Sequence, residues 1–181
     1  MTTFILIRHG ETLWNRQRRY QGHNRVGLTL QGKKAVRVLS IKLKKLKGDI
    51  LYASPLRRAK ESAAILSKAL ALKPVFDARL KEIDFGSWEG KTAEELLQKN
   101  KAYQQWVQGK RRFPCPGESL ASFRRRVIHF LRECVRRHSG KNILIVSHGG
   151  PIKIMAAELK QTRLRFHVPS IKPATALIVS L

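Results

Sequence analysis

Two short apolar runs, Phe4-Ile5-Leu6-Ile7 and Ile143-Leu144-Ile145-Val146, each lead into a histidine followed by glycine. The first continues as Arg8-His9-Gly10-Glu11-Thr12 and the second as Ser147-His148-Gly149-Gly150. Apolar runs of this length read as strands buried on both faces, the pattern of a parallel sheet. In such a sheet the residues just beyond the carboxyl ends of the strands line one common crevice, where ligands bind. His9 and His148 are therefore expected to meet in space although they lie near opposite ends of the chain.

The sequence between them alternates helical and extended patterns. Val36, Leu39, Leu43 and Leu46 recur at helical spacing among lysines, which predicts an amphipathic helix over 31–47. Asp49 to Ala53 reads as a strand, and Ala59, Ala63, Leu66 and Leu70 predict a helix reaching about Ala71. Phe123, Val127, Leu131 and Cys134 mark a long basic helix from about Ser119 to His138, and Ala174 to Val179 reads as a closing strand. With no Gly/Ser-rich linker, internal repeat or low-complexity block, the chain is expected to form one α/β domain over 1–181. Its expected architecture is a three-layer α/β/α arrangement around a mostly parallel sheet. The stretch 85–117 interrupts the alternation. It holds the capping-box pattern Thr92-Ala93-Glu94-Glu95 and the aromatic residues Phe85, Trp88, Tyr103, Trp106 and Phe113. It suits a lid-like insertion over the crevice or a satellite core beside the sheet.

The charge balance constrains the partner. With 37 Lys+Arg against 12 Asp+Glu, the formal charge is +25, a field that attracts phosphorylated metabolites, nucleic acids or acidic membrane surfaces without choosing among them. Cys115 and Cys134 form no CxxC pair and no metal-ligand spacing, as expected of reduced thiols in a cytosolic protein. The N-terminus shows no basic leader, and no stretch approaches the ~20 apolar residues of a membrane helix. A soluble, cytoplasmic protein that does not engage membranes is expected.

The third strand end adds Ser54-Pro55-Leu56-Arg57-Arg58-Ala59, with arginine where a helix begins. Arginine presents a planar fork of donors matched to phosphate oxygens, and a helix N-terminus adds backbone N–H groups. Arginines and histidines around one small volume make a poor core and a good oxyanion trap, beside which Thr12 is expected to offer a free hydroxyl. A neutral imidazole there can attack phosphorus, because nearby guanidinium charge disfavours its protonation. An alkoxide leaving group needs a proton, and Glu82 in Leu80-Lys81-Glu82-Ile83-Asp84-Phe85-Gly86 is the leading candidate donor. Asp84 and Glu11 compete for that role, and Glu11 equally suits a structural acceptor for arginine.

Five motifs now stand in order: RHGET at 8–12, S-x-L-x-R-A at 54–59, L-x-E-x-x-F-G at 80–86 followed by Trp88-Glu89-Gly90, Pro116-Gly117-Glu118-Ser119, and SHGG at 147–150. Together they resemble the histidine phosphatase superfamily, in its phosphoglycerate-mutase-like branch, and the resemblance spans essentially the whole chain. The length is similar to that of the short bacterial phosphatases of this branch, which include α-ribazole phosphatases and broad-specificity phosphatases. The resemblance implies that His9 is the nucleophile that becomes phosphohistidine. It also implies that Arg8, Arg58 and His148 grip the phosphoryl group with Gly149 beside them, and that Glu82 is the general acid and base. Asn15, Gln21 and Gly22 match positions that contact phosphate or substrate, and Arg57 is left as a surface neighbour. No metal or cofactor is implied, and His23, His129, His138 and His167 are scattered as surface or structural residues are. Arg25 and Gly27 depart from the acidic residue and proline that members carry there, which bears on the conformation of the substrate loop.

The function so implied is a metal-independent phosphomonoester hydrolase of the histidine acid type, acting on a small phosphorylated metabolite. A phosphoglycerate-mutase-type phosphoryl transferase is the alternative on the same fold, although cofactor-dependent mutases are associated with a longer chain. The other alternative is a nucleic-acid-binding protein on a degenerate phosphatase fold. Arg16, Arg18, Arg19, Lys110 to Arg112, Arg124 to Arg126, Arg132, Arg136 and Arg137 favour it. The lack of a recognised motif and of interleaved aromatics counts against it, leaving non-specific polyanion affinity as a side property.

Overall fold

A computed structural model describes residues 1–110, 113–162, 164 and 171–181. His167, and Arg111 and Arg112 of one basic run, lie outside the described residues. Strands β1 (Thr3–Arg8), β2 (Ile50–Ala53), β3 (Pro74–Phe76), β4 (Asn142–Ser147) and β5 (Ala176–Ser180) form one sheet in the order β3-β2-β4-β1-β5. The first four are mutually parallel, and β5 runs antiparallel along β1.

The register decides where the crevice lies. Arg8 pairs with Ser147 and Ala53 with Val146, so β1, β2 and β4 end level. The backbone amide of His9 donates to Ser147 O at 3.0 Å, and that of Ser54 to Val146 O at 2.9 Å. The three motif-bearing ends thus leave the sheet side by side, as the sequence predicts.

Strand alternation builds the three layers. Phe4, Leu6, Ile143, Ile145 and Val179 face one side and pack on Phe123, Val127, Phe130 and Leu131 of α6 (Leu120–Arg137) and on Ile152 and Met155 of α7 (Gly149–Leu159). Ile5, Ile7, Leu51, Ala53, Leu144 and Val146 face the other side. They meet Val36, Leu39 and Leu43 of α2 (Leu30–Lys44) and Ala59, Ala63 and Leu66 of α3 (Arg57–Leu70). Each fully buried Val, Leu, Ile or Phe side chain contributes roughly 1.5–3 kcal/mol, and both faces of the central strands are lined with them.

The predicted helices occur with slightly shifted ends. Thr29 caps α2 by accepting from the Gly32 amide at 2.9 Å, and Ala71 closes α3 in the left-handed conformation at φ 55°. Two elements carry no readable pattern. β3 is a three-residue edge strand whose Val75 and Phe76 face solvent, too short to show alternation. α7 opens Gly-Gly-Pro and is apolar on most sides, so it shows no helical stripe; its proline sits in the first turn, where a missing N–H does little harm.

The stretch 85–117 contains a 3-10 turn at Gly86–Trp88 and the short helices α4 (Ala93–Lys99) and α5 (Lys101–Val107). The predicted capping box is present: Thr92 Oγ accepts from the Glu95 amide at 3.1 Å, and Glu95 Oε2 accepts from the Thr92 amide at 2.8 Å. Trp88, Leu96 and Tyr103 are buried at its centre, with Tyr20, Phe85, Trp106 and Phe113 around them. A satellite core is what these aromatics form, and its edge reaches the crevice. No helix among the described residues is long and apolar enough to cross a membrane.

Candidate active site

Gly10 lets the chain turn out of β1 beneath α2. A Cβ there would meet Gly32 O at 2.7 Å and Val36 Cγ2 at 2.9 Å, so a larger residue would push the loop off the helix. The Gly10 amide donates to Ser62 Oγ at 3.0 Å, and that hydroxyl donates to Arg58 O at 2.8 Å, tying the histidine turn to α3.

The turn holds His9 almost wholly buried, with Nδ1 2.7 Å from Gly10 O. A carbonyl oxygen only accepts, so Nδ1 carries the proton and Nε2 keeps a lone pair. Burial, followed by the positive charges of Arg58 and Arg8, pushes the imidazole pKa well below its usual value. His9 is therefore neutral at physiological pH and presents an unprotonated ring nitrogen.

Arg58, at the first turn of α3, is 1% exposed. Its Nη2 donates to Gly22 O at 2.7 Å, Nη1 to Asn24 O at 3.2 Å and Nε to His148 Nδ1 at 3.2 Å. Because Nδ1 of His148 accepts, its Nε2 bears hydrogen and donates to Ser54 Oγ at 2.8 Å. Burial lowers the Arg58 pKa to about 10, with Glu82 and Glu89 opposing, so the guanidinium stays charged at neutral pH. Burial followed by the charge of Arg58 also keeps His148 neutral, and its ring centroid lies 5.1 Å from that of His9. Arg8 donates from Nη1 to Ile171 O at 2.7 Å, while its buried Nε has no hydrogen-bond partner among the described residues. An unsatisfied buried donor costs about 1–3 kcal/mol, which an anion at this position would offset.

Arg8, His9, Asn15, Gln21, Gly22, Arg58 and Glu82 line one small cavity of about 150 Å³. Seven predicted site residues thus come together. His148 and Gly149 stand behind it, buried, His148 engaged by Arg58 and Ser54 and Gly149 opening α7. Gly22 needs its left-handed φ of 44°, and a Cβ there would overlap the Glu89 carboxylate. The Thr12 hydroxyl is not free: it is buried against Asn15 Oδ1 and Gln21 Oε1, both at 3.0 Å, and caps the short helix α1 (Leu13–Arg16).

The three candidate acids separate clearly. Glu82 Oε1 accepts from the Ile83 amide at 3.0 Å and Oε2 from the Gly150 amide at 3.1 Å, at the start of α7. A Cβ on Gly150 would collide with that carboxylate. Glu11 instead binds Arg16 Nε at 2.7 Å and Thr29 Oγ at 3.0 Å, a structural acceptor. Asp84 accepts from the Gly86 amide at 2.7 Å and lines neither the small cavity nor its neighbour.

That neighbour, of about 460 Å³, shares Tyr20, Glu82 and Phe85 with the small cavity and continues along Trp106, Phe113, Leu120, Phe123 and Lys153. Sequence reasoning missed Lys153. The available signal was its spacing, since a residue three beyond Gly150 shares that glycine's helix face. Burial lowers the Lys153 pKa and the Glu82 charge partly restores it.

The loop carrying Arg25 and Gly27 is pinned from inside, where Arg58 donates to the carbonyls of Gly22 and Asn24. Arg25 faces solvent, whereas Gly27 lies against α3, where a Cβ would meet Glu61 Oε1 at 2.9 Å. Arg57 is a surface residue paired with Glu61 at 2.8 Å. His23 donates from Nε2 to Glu82 O at 2.9 Å, and His138 Nε2 lies 2.9 Å from the Tyr52 hydroxyl. No group of three or more His, Cys, Asp or Glu that could hold a metal ion occurs among the described residues.

The profile of the histidine phosphatase superfamily (branch 1) matches residues 4–180. The chain belongs to this superfamily. Phosphoserine phosphatase 1 of Hydrogenobacter thermophilus is 36% identical over 161 residues, covering 88% of this chain and 76% of that protein. The α-ribazole phosphatase of Shigella flexneri superposes with a TM-score of 0.88 at 28% identity, over 99% of this chain and 90% of that one. A phosphoserine phosphatase of Entamoeba histolytica, solved in complex with 3-phosphoglyceric acid, gives 0.83 at 31% identity over 98% and 90%. This histidine phosphatase is therefore an enzyme of phosphoryl transfer through histidine on a phosphoglycerate-mutase-like α/β fold.

Proposed function

We propose that the chain hydrolyses phosphomonoesters through a phosphohistidine on His9, without a metal ion. The observation that carries this reading is the hydrogen bond from His9 Nδ1 to Gly10 O. It fixes the tautomer and leaves Nε2 as a neutral nucleophile in a cavity walled by three arginines, Arg8, Arg19 and Arg58. Nε2 attacks phosphorus and the ester P–O bond breaks. Arg8 and Arg58 balance the charge on the phosphoryl oxygens, a stabilisation that a metal supplies elsewhere. Glu82 gives a proton to the departing alkoxide, then takes one from the water that attacks the phosphohistidine, and His9 Nε2 leaves with its lone pair restored. His148 acts through Arg58, whose Nε it binds; Asn15, Gln21 and Gly22 complete the cradle. The substrate is a small phosphorylated metabolite.

Quenching the enzyme with an isotopically labelled phosphomonoester should trap an acid-labile, alkali-stable label, and His9→Ala should lose both label and turnover while keeping its fold. Turnover should persist in EDTA. Substantial hydrolysis by His9→Ala, or loss of activity on chelation restored by magnesium or zinc, would overturn the mechanism. Isomerisation of phosphoglycerates outpacing release of phosphate would instead make the chain a mutase.

A further inference from the structure

Glu82 stands at the junction of the two cavities, and this sets the direction of the substrate. If the phosphoryl group occupies the small cavity and Glu82 protonates the ester oxygen, the carbon side of that oxygen points into the larger one. We infer that the leaving group is an alcohol with an extended apolar body, a chain or a ring, rather than a small polar alcohol such as serine. The inference rests on the reading of His9 as phosphoryl acceptor.

The larger cavity, at about 460 Å³, falls in the ordinary range for small-molecule sites, whereas the phosphate cavity at about 150 Å³ admits little beyond the phosphoryl group. Its walls are Ile83, Trp106, Phe113, Leu120 and Phe123. The phenol of Tyr20 is already hydrogen-bonded to Tyr103 at 2.9 Å. The charged lining residues, Glu82 and Lys153, attract each other. A serine leaving group would set its ammonium and carboxylate mainly against these rings, with Lys153 and Glu82 the charged groups of the lining, and would lose more hydration than they replace. An alkyl chain loses no such hydration and gains contact along its length.

A homologous series of n-alkyl phosphates from ethyl to octyl, with phosphoserine as the polar reference, tests this. Each methylene taken into an apolar site improves transfer by about 0.8 kcal/mol, or about fourfold. The specificity constant should therefore climb two- to fourfold per methylene and level off once the cavity is full, with hexyl phosphate well ahead of phosphoserine. Leu120→Asn, a mild change at the start of α6, should lower the hexyl-to-ethyl ratio at least fivefold, and Trp106→Ala should lower it as well. Methyl- and hexylphosphonate, which are not hydrolysed, are titrated by calorimetry in parallel, so the cavity is probed without turnover. A flat series, or phosphoserine ahead of hexyl phosphate, overturns the inference while leaving the phosphatase intact. Tighter binding of hexylphosphonate with no ester hydrolysed and no phosphoenzyme formed supports the cavity and overturns the phosphatase reading.

Discussion

At the scale of single residues, Glu82 accepts from two backbone amides, one on each carboxylate oxygen. Glutamine keeps one acceptor for those amides but turns an NH₂ toward the other, and it can neither give nor take the proton. Loss of a general acid costs on the order of 10²–10⁴ in rate when the leaving group needs protonation. Glu82→Gln should therefore slow phosphoenzyme formation from alkyl esters by that order, but far less from p-nitrophenyl phosphate, whose phenolate leaves unaided. Dephosphorylation still needs the base, so the mutant should show a burst of nitrophenolate followed by a slow steady state. Equal slowing of phosphoenzyme formation for alkyl and aryl esters would remove the acid role from Glu82. A residue's type is legible in sequence but its hydrogen-bond assignments are not. The Gly150 amide proved to be a partner of Glu82, and the Thr12 hydroxyl proved engaged. Both depend on which way a side chain turns once α1 and α7 have docked.

At the scale of elements, strands carry the legible part. β1 and β4 are continuous apolar runs because both faces are covered, and the meeting of the two histidines that follow them results from their parallel pairing. Helices α2, α3 and α6 show apolar stripes because each has one wet face, whereas α7, apolar on most sides, and the short β3 lack any period to detect. The same pairing buries two imidazoles side by side, with a consequence for stability. Both pKa values are lowered in the folded state by burial and by the arginines. The unfolded chain therefore binds protons first as pH falls. This contribution is complete above the unfolded pKa near 6.5, and it declines below that value toward the folded ones. Over that window the loss is about 1.4 kcal/mol per pH unit for each histidine. Urea unfolding should show the wild type roughly 2–3 kcal/mol less stable at a pH of about 5.5 than at about 7.5. His148→Asn should lose about half of that difference whatever its stability at neutral pH. An unchanged pH slope in His148→Asn would mean that its imidazole is not held neutral in the fold.

At the scale of the whole molecule, the formal charge of +25 is spread over helix faces remote from the cavity as well as at its rim. Lys34, Arg37, Lys42 and Lys44 are exposed on α2, and Arg124, Arg125, Arg132 and Arg136 on α6. Within the cavity, the proposed grip of half-buried Arg8 and buried Arg58 acts at contact distance, where salt screens weakly. The exposed charges act over distances comparable to the Debye length, about 10 Å at 0.1 M salt, and are screened readily. The two populations should separate in kinetics. The specificity constant for a dianionic phosphomonoester should fall severalfold or more as salt rises from about 0.02 to 0.3 M, because steering into the crevice weakens. Turnover at saturating substrate should change little, because the chemistry depends on the buried pair. Heparin or RNA should inhibit competitively at low salt and lose that inhibition as salt rises, since counterion release dominates non-specific polyanion binding. Turnover that falls in step with the specificity constant would show salt reaching the buried arginines. Tight, sequence-dependent RNA binding that survives high salt would assign the basic surface a partner of its own, because a field that acts only at long range cannot distinguish one base from another.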